Sequence, residues 1–172
     1  MRSGILTGVV CSLMPLAAAA EVKLAAVDGM LIVHQFQIAA PAVKVWESLV
    51  HPERWWPEDH CWSGKRASLS LDAQAGGCYC ERWDGGSAEH GRVVMAVPGK
   101  MLKLDAALGP FLDMAISGLL SITLTEKEGV TTAVVSYRVS GDPAHKLDGL
   151  APIVNQVIGM QFGGFAEDAG RP

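Results

Sequence analysis

The chain has 172 residues, of which 49% are hydrophobic, with 14 Lys and Arg against 18 Asp and Glu and a formal net charge of −4 at pH 7. Without an excess or a cluster of positive charge, a nucleic-acid partner is not expected, because phosphate backbones are bound by concentrated basic side chains. The length suits one domain with a substantial core.

The first twenty residues have the pattern of an export signal. Arg2 supplies a positive start, residues 5–16 are mostly apolar, and four alanines at 17–20 offer a cleavage site before Glu21. The apolar run is shorter than the about 20 residues that a membrane-spanning helix needs. We therefore expect a signal peptide at 1–20 and a secreted, most simply periplasmic, protein without a membrane span in its mature form. The alternative is a short buried N-terminal helix.

The next residues predict a linker followed by the first elements of a domain. Residues 21–28 have no clear pattern and are interpreted as a linker, with a single domain over 29–168. Residues 30–38 alternate between apolar and polar, which predicts a strand. Apolar residues at helical spacing predict a short amphipathic helix over 41–51, and residues 52–56 predict a further helical turn that Pro57 ends.

A tryptophan-rich segment then covers residues 53–62, ERWWPEDHCW, which hold three of the five tryptophans together with His60 and Cys61. Clustered tryptophans usually line a core edge, an interface or a ligand pocket, because each combines a large apolar ring system with one N–H donor. The segment is therefore the first candidate for a binding site.

The rest of the chain predicts a strand meander and a terminal helix. Alternating runs between turn signals predict antiparallel strands at 68–72, 78–83, 90–97, 101–104, 119–126 and 130–139. After these strands, apolar residues spaced three and four apart predict a long helix that extends to about Phe165. Gly159, Gly163 and Gly164 weaken this helix by about 1 kcal/mol each relative to Ala, but they would allow close approach to a sheet.

Several short motifs in this order resemble the helix-grip (SRPBCC) superfamily. They are residues 38–46 (IAAPAVKVW), Trp55-Trp56-Pro57, Gly76-Gly77 before a strand that contains Glu81, and Pro98-Gly99-Lys100 before an apolar strand. The resemblance extends from Met30 to Phe165. It covers START domains, pollen-allergen-like proteins, polyketide cyclases and the branch of the activators of the heat-shock ATPase.

The resemblance implies an α+β helix-grip fold, in which a curved antiparallel sheet of about seven strands wraps around a long C-terminal helix. Two short helices follow the first strand, and a cavity lies between the sheet and the long helix. Ligand binding is then more common than catalysis. An export signal departs from the family, because most members are cytosolic, and it makes activation of an intracellular ATPase improbable.

Glu81 is the most informative polar residue in the strand at 78–83. It shares a strand face with the rings of Tyr79 and Trp83, so it points inward if those rings do. A carboxylate in an apolar pocket is costly unless it is paired or protonated, which marks it as a candidate functional group. The opposite parity would place the cysteines inside and Glu81 in solvent.

The predicted ligand-binding set is Trp56, His60, Tyr79, Glu81 and Trp83, which we expect to converge at one mouth of the cavity. The main hypothesis is a binding protein for a small apolar or lipid-like molecule. One alternative is a cyclase- or hydrolase-like enzyme that uses His60 and Glu81 as acid and base. A second alternative is a protein-interaction module that docks through the tryptophan-rich segment.

The cysteines and other polar residues give weaker indications. A disulfide from Cys61 to Cys78 or Cys80 is predicted in an oxidising compartment, and three free thiols are the alternative. A direct link between Cys78 and Cys80 would be strained, since residues i and i+2 of a regular strand are about 6.6 Å apart. His34 is interpreted as a core-edge histidine. No motif predicts a metal site or a cofactor.

Overall fold

A computed structural model describes residues 19–172, which form one curved antiparallel sheet and two α-helices. Residues 1–18, and with them most of the predicted export signal, lie outside the described residues. The strands are β1 (Ala19–Ala26), β2 (Gly29–Ile38), β3 (Leu69–Leu71), β4 (Cys78–Trp83), β5 (Gly86–Val97), β6 (Met101–Asp105), β7 (Ser117–Lys127) and β8 (Val130–Ser140). The helices are α1 (Ala42–Leu49) and α2 (Leu147–Gly170), and short 3₁₀ turns interrupt the loops.

The sheet has the order β1-β2-β8-β7-β6-β5-β4-β3, and every neighbouring pair is antiparallel. Short helices lie between β2 and β3, and α2 packs against β2 and β1. The predicted α+β helix-grip architecture is therefore confirmed. The sheet has eight strands, one more than the sequence indicated.

The additional strand is β1, and it corrects the predicted linker at 21–28. Its backbone pairs with β2 from Ala19 opposite Gln35 to Ala26 opposite Gly29. The sequence pattern does not predict this strand, because β1 lies at the edge of the sheet and its apolar alternation is weak. Val22 is half-buried, whereas Leu24 is exposed beyond an irregularity in the pairing.

The interior face of the sheet follows the alternation of the sequence. Leu120, Ile122 and Leu124 of β7 are buried, and so are the alternate residues of β8 from Ala133 to Val139. These side chains project toward α2 because successive residues of a strand point to opposite faces. The alternation that predicted these two strands therefore corresponds to their buried and exposed faces.

Two glycines of α2 bring the helix close to its neighbours. A Cβ on Gly159 would lie 2.7 Å from Cε1 of His34, and a Cβ on Gly164 would lie 2.8 Å from the backbone oxygen of Trp55. His34 is buried there, with its Nε2 at 2.9 Å from Oδ1 of Asn155. The glycines therefore permit the close approach that the sequence suggested, and His34 has a packing role. None of the described helices is both long enough and apolar enough to cross a membrane.

Candidate functional site

A cavity of about 560 Å³ lies between α2, the sheet and two loops. The helix contributes one apolar face with a single polar residue to its wall: Leu150, Ile153, Val154, Val157, Ile158 and Gln161. These positions recur at three and four residues, so they follow one side of the helix. A volume of this size is typical of a site for a small organic molecule.

The remaining wall comes from two loops and the sheet. The loop between β6 and β7 contributes Leu108, Gly109, Pro110, Phe111 and Met114, and the tryptophan-rich segment contributes Trp56, Asp59, His60, Cys61 and Trp62. His90 of β5, Tyr137 of β8 and His145 complete it. Polar groups are therefore few and concentrated near the tryptophan-rich segment.

Gln161 and His60 form a hydrogen-bonded pair in this wall. The Nε2 atom of Gln161 lies 3.0 Å from Nδ1 of His60. The side chain of Gln161 is 5% exposed, and its buried Oε1 atom has no hydrogen-bond partner in the part of the chain that the structure describes. The wall thus presents a hydrogen-bond acceptor that the protein itself does not satisfy.

Glu81 is fully buried behind the wall, where it holds the tryptophan-rich segment against the sheet. Its carboxylate accepts hydrogen bonds from the backbone N–H of Trp62 at 3.0 Å and from that of Ser63 at 2.5 Å. It accepts a third from Nε2 of His90 at 2.9 Å. An ionised carboxylate can only accept, so Nε2 carries the hydrogen of His90 in this contact.

The hydrogen bonds decide the protonation state of Glu81. Burial alone would raise the pKa of this carboxyl, but the hydrogen bonds from Ser63, His90 and Trp62 outweigh burial and hold the pKa below its usual value. Glu81 is therefore ionised near neutral pH and stabilises the loop as a charged acceptor.

Two aromatic rings lie against His90. The ring of Tyr79 lies 5.1 Å from that of His90, and the ring of Trp56 lies 6.4 Å from it. Trp56 and Tyr79 meet edge to face at 5.4 Å. His90 is almost fully buried yet contributes to the cavity wall. Because Nε2 faces Glu81, Nδ1 is the ring nitrogen that this contact leaves available.

The structure brings together most of the predicted set, in a different arrangement. Trp56 and His60 line the cavity, whereas Tyr79 and Glu81 lie behind its wall. His60 and Glu81, the expected acid and base, have different partners, since Glu81 bonds His90 and His60 bonds Gln161. The inward orientation expected for Glu81 is present.

Trp83 lies outside the site, contrary to the sequence expectation. Its side chain is 37% exposed, and it packs over Gly86, where a Cβ would lie 2.7 Å from the indole. Trp83 is the last residue of β4, where the chain turns into the hairpin that leads to β5. Strand parity therefore does not place the ring of Trp83 in the core. Truncating Trp83 should not enlarge the cavity, and it should lower the free energy of unfolding by less than the about 3–5 kcal/mol typical of a buried ring.

The predicted disulfide from Cys61 is also corrected. Cys78 is joined to Cys80, and Cys61 is a free thiol. The pairing of β4 with β5 is irregular between Tyr79 and Cys80. The Cα atoms of the two bonded cysteines are only 5.3 Å apart, within the normal range for a disulfide. The sequence argument for a strained link assumed the Cα spacing of a regular strand, and these two residues lie closer together than that.

The free thiol of Cys61 has low nucleophilic reactivity. Burial, together with the negative charges of Glu81 and Glu58, raises the pKa of this thiol to about 11. Because the thiolate is the nucleophile, Cys61 reacts slowly at neutral pH. Within residues 19–172, the one group of three potential metal ligands is Cys78, Cys80 and Glu89, and its two sulfurs are bonded to each other.

Sequence reasoning missed His90 and Gln161, although both left a signal. His90 lies across the β4–β5 hairpin from the strand that holds Glu81, and the hairpin itself was predicted. Gln161 is the single polar residue on the cavity face of α2. A lone polar side chain on an otherwise apolar helix face marks either a buried hydrogen bond or a ligand contact.

Comparison with known proteins supports the fold and goes no further. No protein-family model and no curated protein matches the chain. Among solved structures, the solution NMR structure of CalU16 from Micromonospora echinospora is similar to this chain, with 15% sequence identity and a TM-score of 0.59. The match covers 94% of this chain and 81% of CalU16. A protein from Rhizobium leguminosarum is 17% identical with a TM-score of 0.58, covering 91% of this chain and 99% of that one. A protein from Thermobifida fusca is 18% identical with a TM-score of 0.58, covering 82% and 93%. Identities this low show a shared fold alone.

Proposed function

We propose that this protein binds a small, largely apolar or lipid-like molecule in the cavity beside α2, as an exported, most simply periplasmic, binding protein. The observation that carries the proposal is the cavity of about 560 Å³, with mostly apolar walls and a few polar groups. Such walls favour a ligand through burial of apolar surface, and the polar groups orient it. The sequence resemblance to START and pollen-allergen-like proteins supports the same function.

Native mass spectrometry of freshly purified protein tests this proposal, with extraction and rebinding of any retained molecule. A matched pair of variants on α2 makes the test specific. Val157→Trp fills part of the cavity and should abolish retention. Met160→Trp places the same ring on the exposed side of the helix and should retain the molecule. If both variants retain the molecule equally, it binds outside this cavity. If no apolar molecule is retained or can be rebound, the proposal is wrong.

A second candidate function is general acid–base catalysis on the bound molecule, and the His90–Glu81 pair favours it. A carboxylate that fixes one imidazole nitrogen orients the ring and makes the other nitrogen a better base. This candidate replaces the predicted His60–Glu81 pair with His90 as base and Glu81 as the positioning residue.

Hydrolysis of p-nitrophenyl esters of apolar acids is a simple assay for this candidate. His90→Gln should remove turnover, and Glu81→Gln should lower kcat with less effect on KM. His51→Gln is a matched control, because His51 lies outside the cavity wall and pairs with Glu53. Turnover that survives in His90→Gln would exclude this mechanism.

Docking of a protein partner through the tryptophan-rich segment has less support. Trp55 and Trp56 are buried in the core, where Trp55 contacts Phe162 and Phe165 of α2. Within the segment, Trp62 alone is largely exposed, at 53%. The clustering of tryptophans is thus explained mainly by packing between the segment and α2.

A further inference from the structure

The unsatisfied oxygen of Gln161 carries information about the chemistry of the ligand. Leu150, Val154, Val157 and Ile158 precede Gln161 on the same face of α2, and all of them line the cavity. A buried amide oxygen without a partner is unfavourable, because it has lost its hydrogen bond to water without replacement. A bound molecule that donates a hydrogen bond at this point would satisfy it.

The neighbouring side chain of His60 fixes the polarity of this end of the cavity. The Nε2 atom of Gln161 donates to Nδ1 of His60, so the amide oxygen is the atom that remains. In this arrangement His60 carries its hydrogen on Nε2, and both groups are uncharged. A neutral acceptor of this kind selects a donor group on the ligand.

The charges around the cavity argue against an anionic ligand. Among the described residues of its wall there is neither a Lys nor an Arg, and the charged side chain in the wall is the carboxylate of Asp59. Glu81 adds a second carboxylate behind His90. A carboxylate or phosphate head group would lose its hydration without gaining a cationic partner, which is costly.

Resting on the proposed binding function, we infer that the ligand is a neutral, mostly apolar molecule with a hydroxyl group that donates a hydrogen bond to Oε1 of Gln161. The apolar body occupies the space along α2 toward Phe111 and Leu150, and the hydroxyl lies at the end formed by Gln161 and His60. Fatty acids and other anions are then poor ligands, and ethers of the same shape are weaker ones.

Three probes with one ring system separate these possibilities: 2-naphthol, 2-methoxynaphthalene and 2-naphthoate, measured by isothermal titration calorimetry at pH 7. The naphthol should bind about tenfold more tightly than the ether, which is the range expected for one hydrogen bond. In Gln161→Leu the two affinities should differ by less than about twofold, because one hydrogen bond is removed for the naphthol alone.

Two further variants serve as controls. Gln161→Glu keeps an acceptor oxygen and should keep the preference for the naphthol, which distinguishes loss of the acceptor from damage to the fold. Val154→Ala shortens an apolar wall residue and should weaken both probes by a similar factor.

The outcomes distinguish this inference from the function on which it rests. Equal binding of naphthol and ether to the unmodified protein, or tightest binding of the naphthoate, would overturn the inference and leave an apolar binding site. Persistence of the preference in Gln161→Leu would also overturn it. Failure of all three probes to bind would count against the inference and the binding function together.

Discussion

Among single residues, Glu81 joins several parts of the structure, since one carboxylate receives two backbone N–H groups of the loop and the ring of His90. Hydrogen bonds to a charged group stabilise by about 1.5–3 kcal/mol each, about twice the contribution of neutral ones. The loop that forms part of the cavity wall therefore depends on the ionised state of a residue outside the cavity.

Acid should destabilise the protein through Glu81. Hydrogen bonding lowers the pKa of this carboxyl in the folded state below 4.5, so the unfolded chain binds its proton first as the pH falls. The contribution is fully present above about pH 4.5 and is lost as the pH falls through the folded-state value. Glu81→Gln should therefore lower the free energy of unfolding at pH 7 by about 1.5–3 kcal/mol. The variant should also lose less of its free energy of unfolding between pH 7 and pH 3 than the unmodified protein does.

Urea unfolding followed by circular dichroism across this pH range measures both effects. Glu89→Gln is the matched control, because Glu89 lies on the adjacent strand and is exposed. An acid dependence that is unchanged in Glu81→Gln would show that other carboxyl groups cause it.

Two buried tyrosines should respond oppositely to loss of their hydroxyl groups. Within residues 19–172 the hydroxyl of Tyr79 has no hydrogen-bond partner, whereas that of Tyr137 donates to the carbonyl of Ala106 at 3.0 Å and accepts from the N–H of Leu108 at 3.1 Å. Tyr79→Phe should leave the free energy of unfolding unchanged or raise it by up to about 1 kcal/mol, and Tyr137→Phe should lower it by about 1–3 kcal/mol. Urea unfolding of the two variants gives the comparison, and a large loss in Tyr79→Phe would reveal a partner of that hydroxyl.

Among the elements, α2 determines most of the interior, because it supplies one cavity wall and covers β1 and β2. Its C-terminal part is tied to α1 and the following turn through the buried Asp168. That carboxylate accepts from Ser48 at 2.7 Å and pairs with Arg54 at 3.0 Å. The position of the helix along the sheet is thus set by polar contacts as well as by apolar packing.

Adjacent glycines of α2 provide a test of the close packing. A Cβ on Gly164 would meet the backbone of Trp55 at 2.8 Å, whereas a Cβ on Gly163 would have no atom within 4 Å. Gly163→Ala should stabilise the protein by about 0.5–1 kcal/mol through helix propensity. Gly164→Ala should destabilise the protein by about 1–3 kcal/mol, because the backbone of Trp55 or of α2 must shift to make room for the added methyl group. Thermal unfolding of both variants is the measurement, and stabilisation by both would mean that α2 is less tightly packed.

The Cys78–Cys80 bond in β4 makes a prediction about thiol content. Protein lacking residues 1–20 and unfolded in denaturant without reductant should react with one equivalent of iodoacetamide, at Cys61, and with three after reduction. In the folded state the single thiol should react slowly below pH 9, because burial raises the pKa of Cys61 to about 11. Mass spectrometry of the alkylated peptides counts the sites. Three equivalents before reduction would contradict the Cys78–Cys80 bond.

At the scale of the whole molecule, the predicted cleavage site of the export signal lies within β1. Cleavage between Ala20 and Glu21 would remove the pairings of Ala19 with Gln35 and of Ala20 with His34, and it would retain the rest of β1. The intact mass of protein exported by a bacterial host should therefore correspond to a chain that begins at Glu21. Replacing Ala20 by Phe should block processing, since the cleavage position requires a small residue. Retention of residues 1–20 on exported protein would contradict the predicted signal.

The order of the elements and the inward faces of β7 and β8 follow from the sequence alone, because alternation and helical spacing are local properties of the chain. Parity alone left the burial of Glu81 open, because either face of the strand at 78–83 could have been the inner one. The tertiary structure decided which partners these residues meet. The local spacing of β4 brought Cys78 close to Cys80, and the irregular pairing of β4 with β5 placed His90 against Glu81.

Local sequence patterns also did not predict contacts between residues that are distant in the chain. The pairing of Gln161 with His60 joins residues separated by 101 positions, and β1 is a strand because β2 offers it a backbone partner. Such contacts depend on how closely α2 approaches the sheet, which is set by glycines and side-chain shapes from distant parts of the chain. Local periodicity thus determined the layers of this protein, and packing between the layers determined its cavity and the polar groups within it.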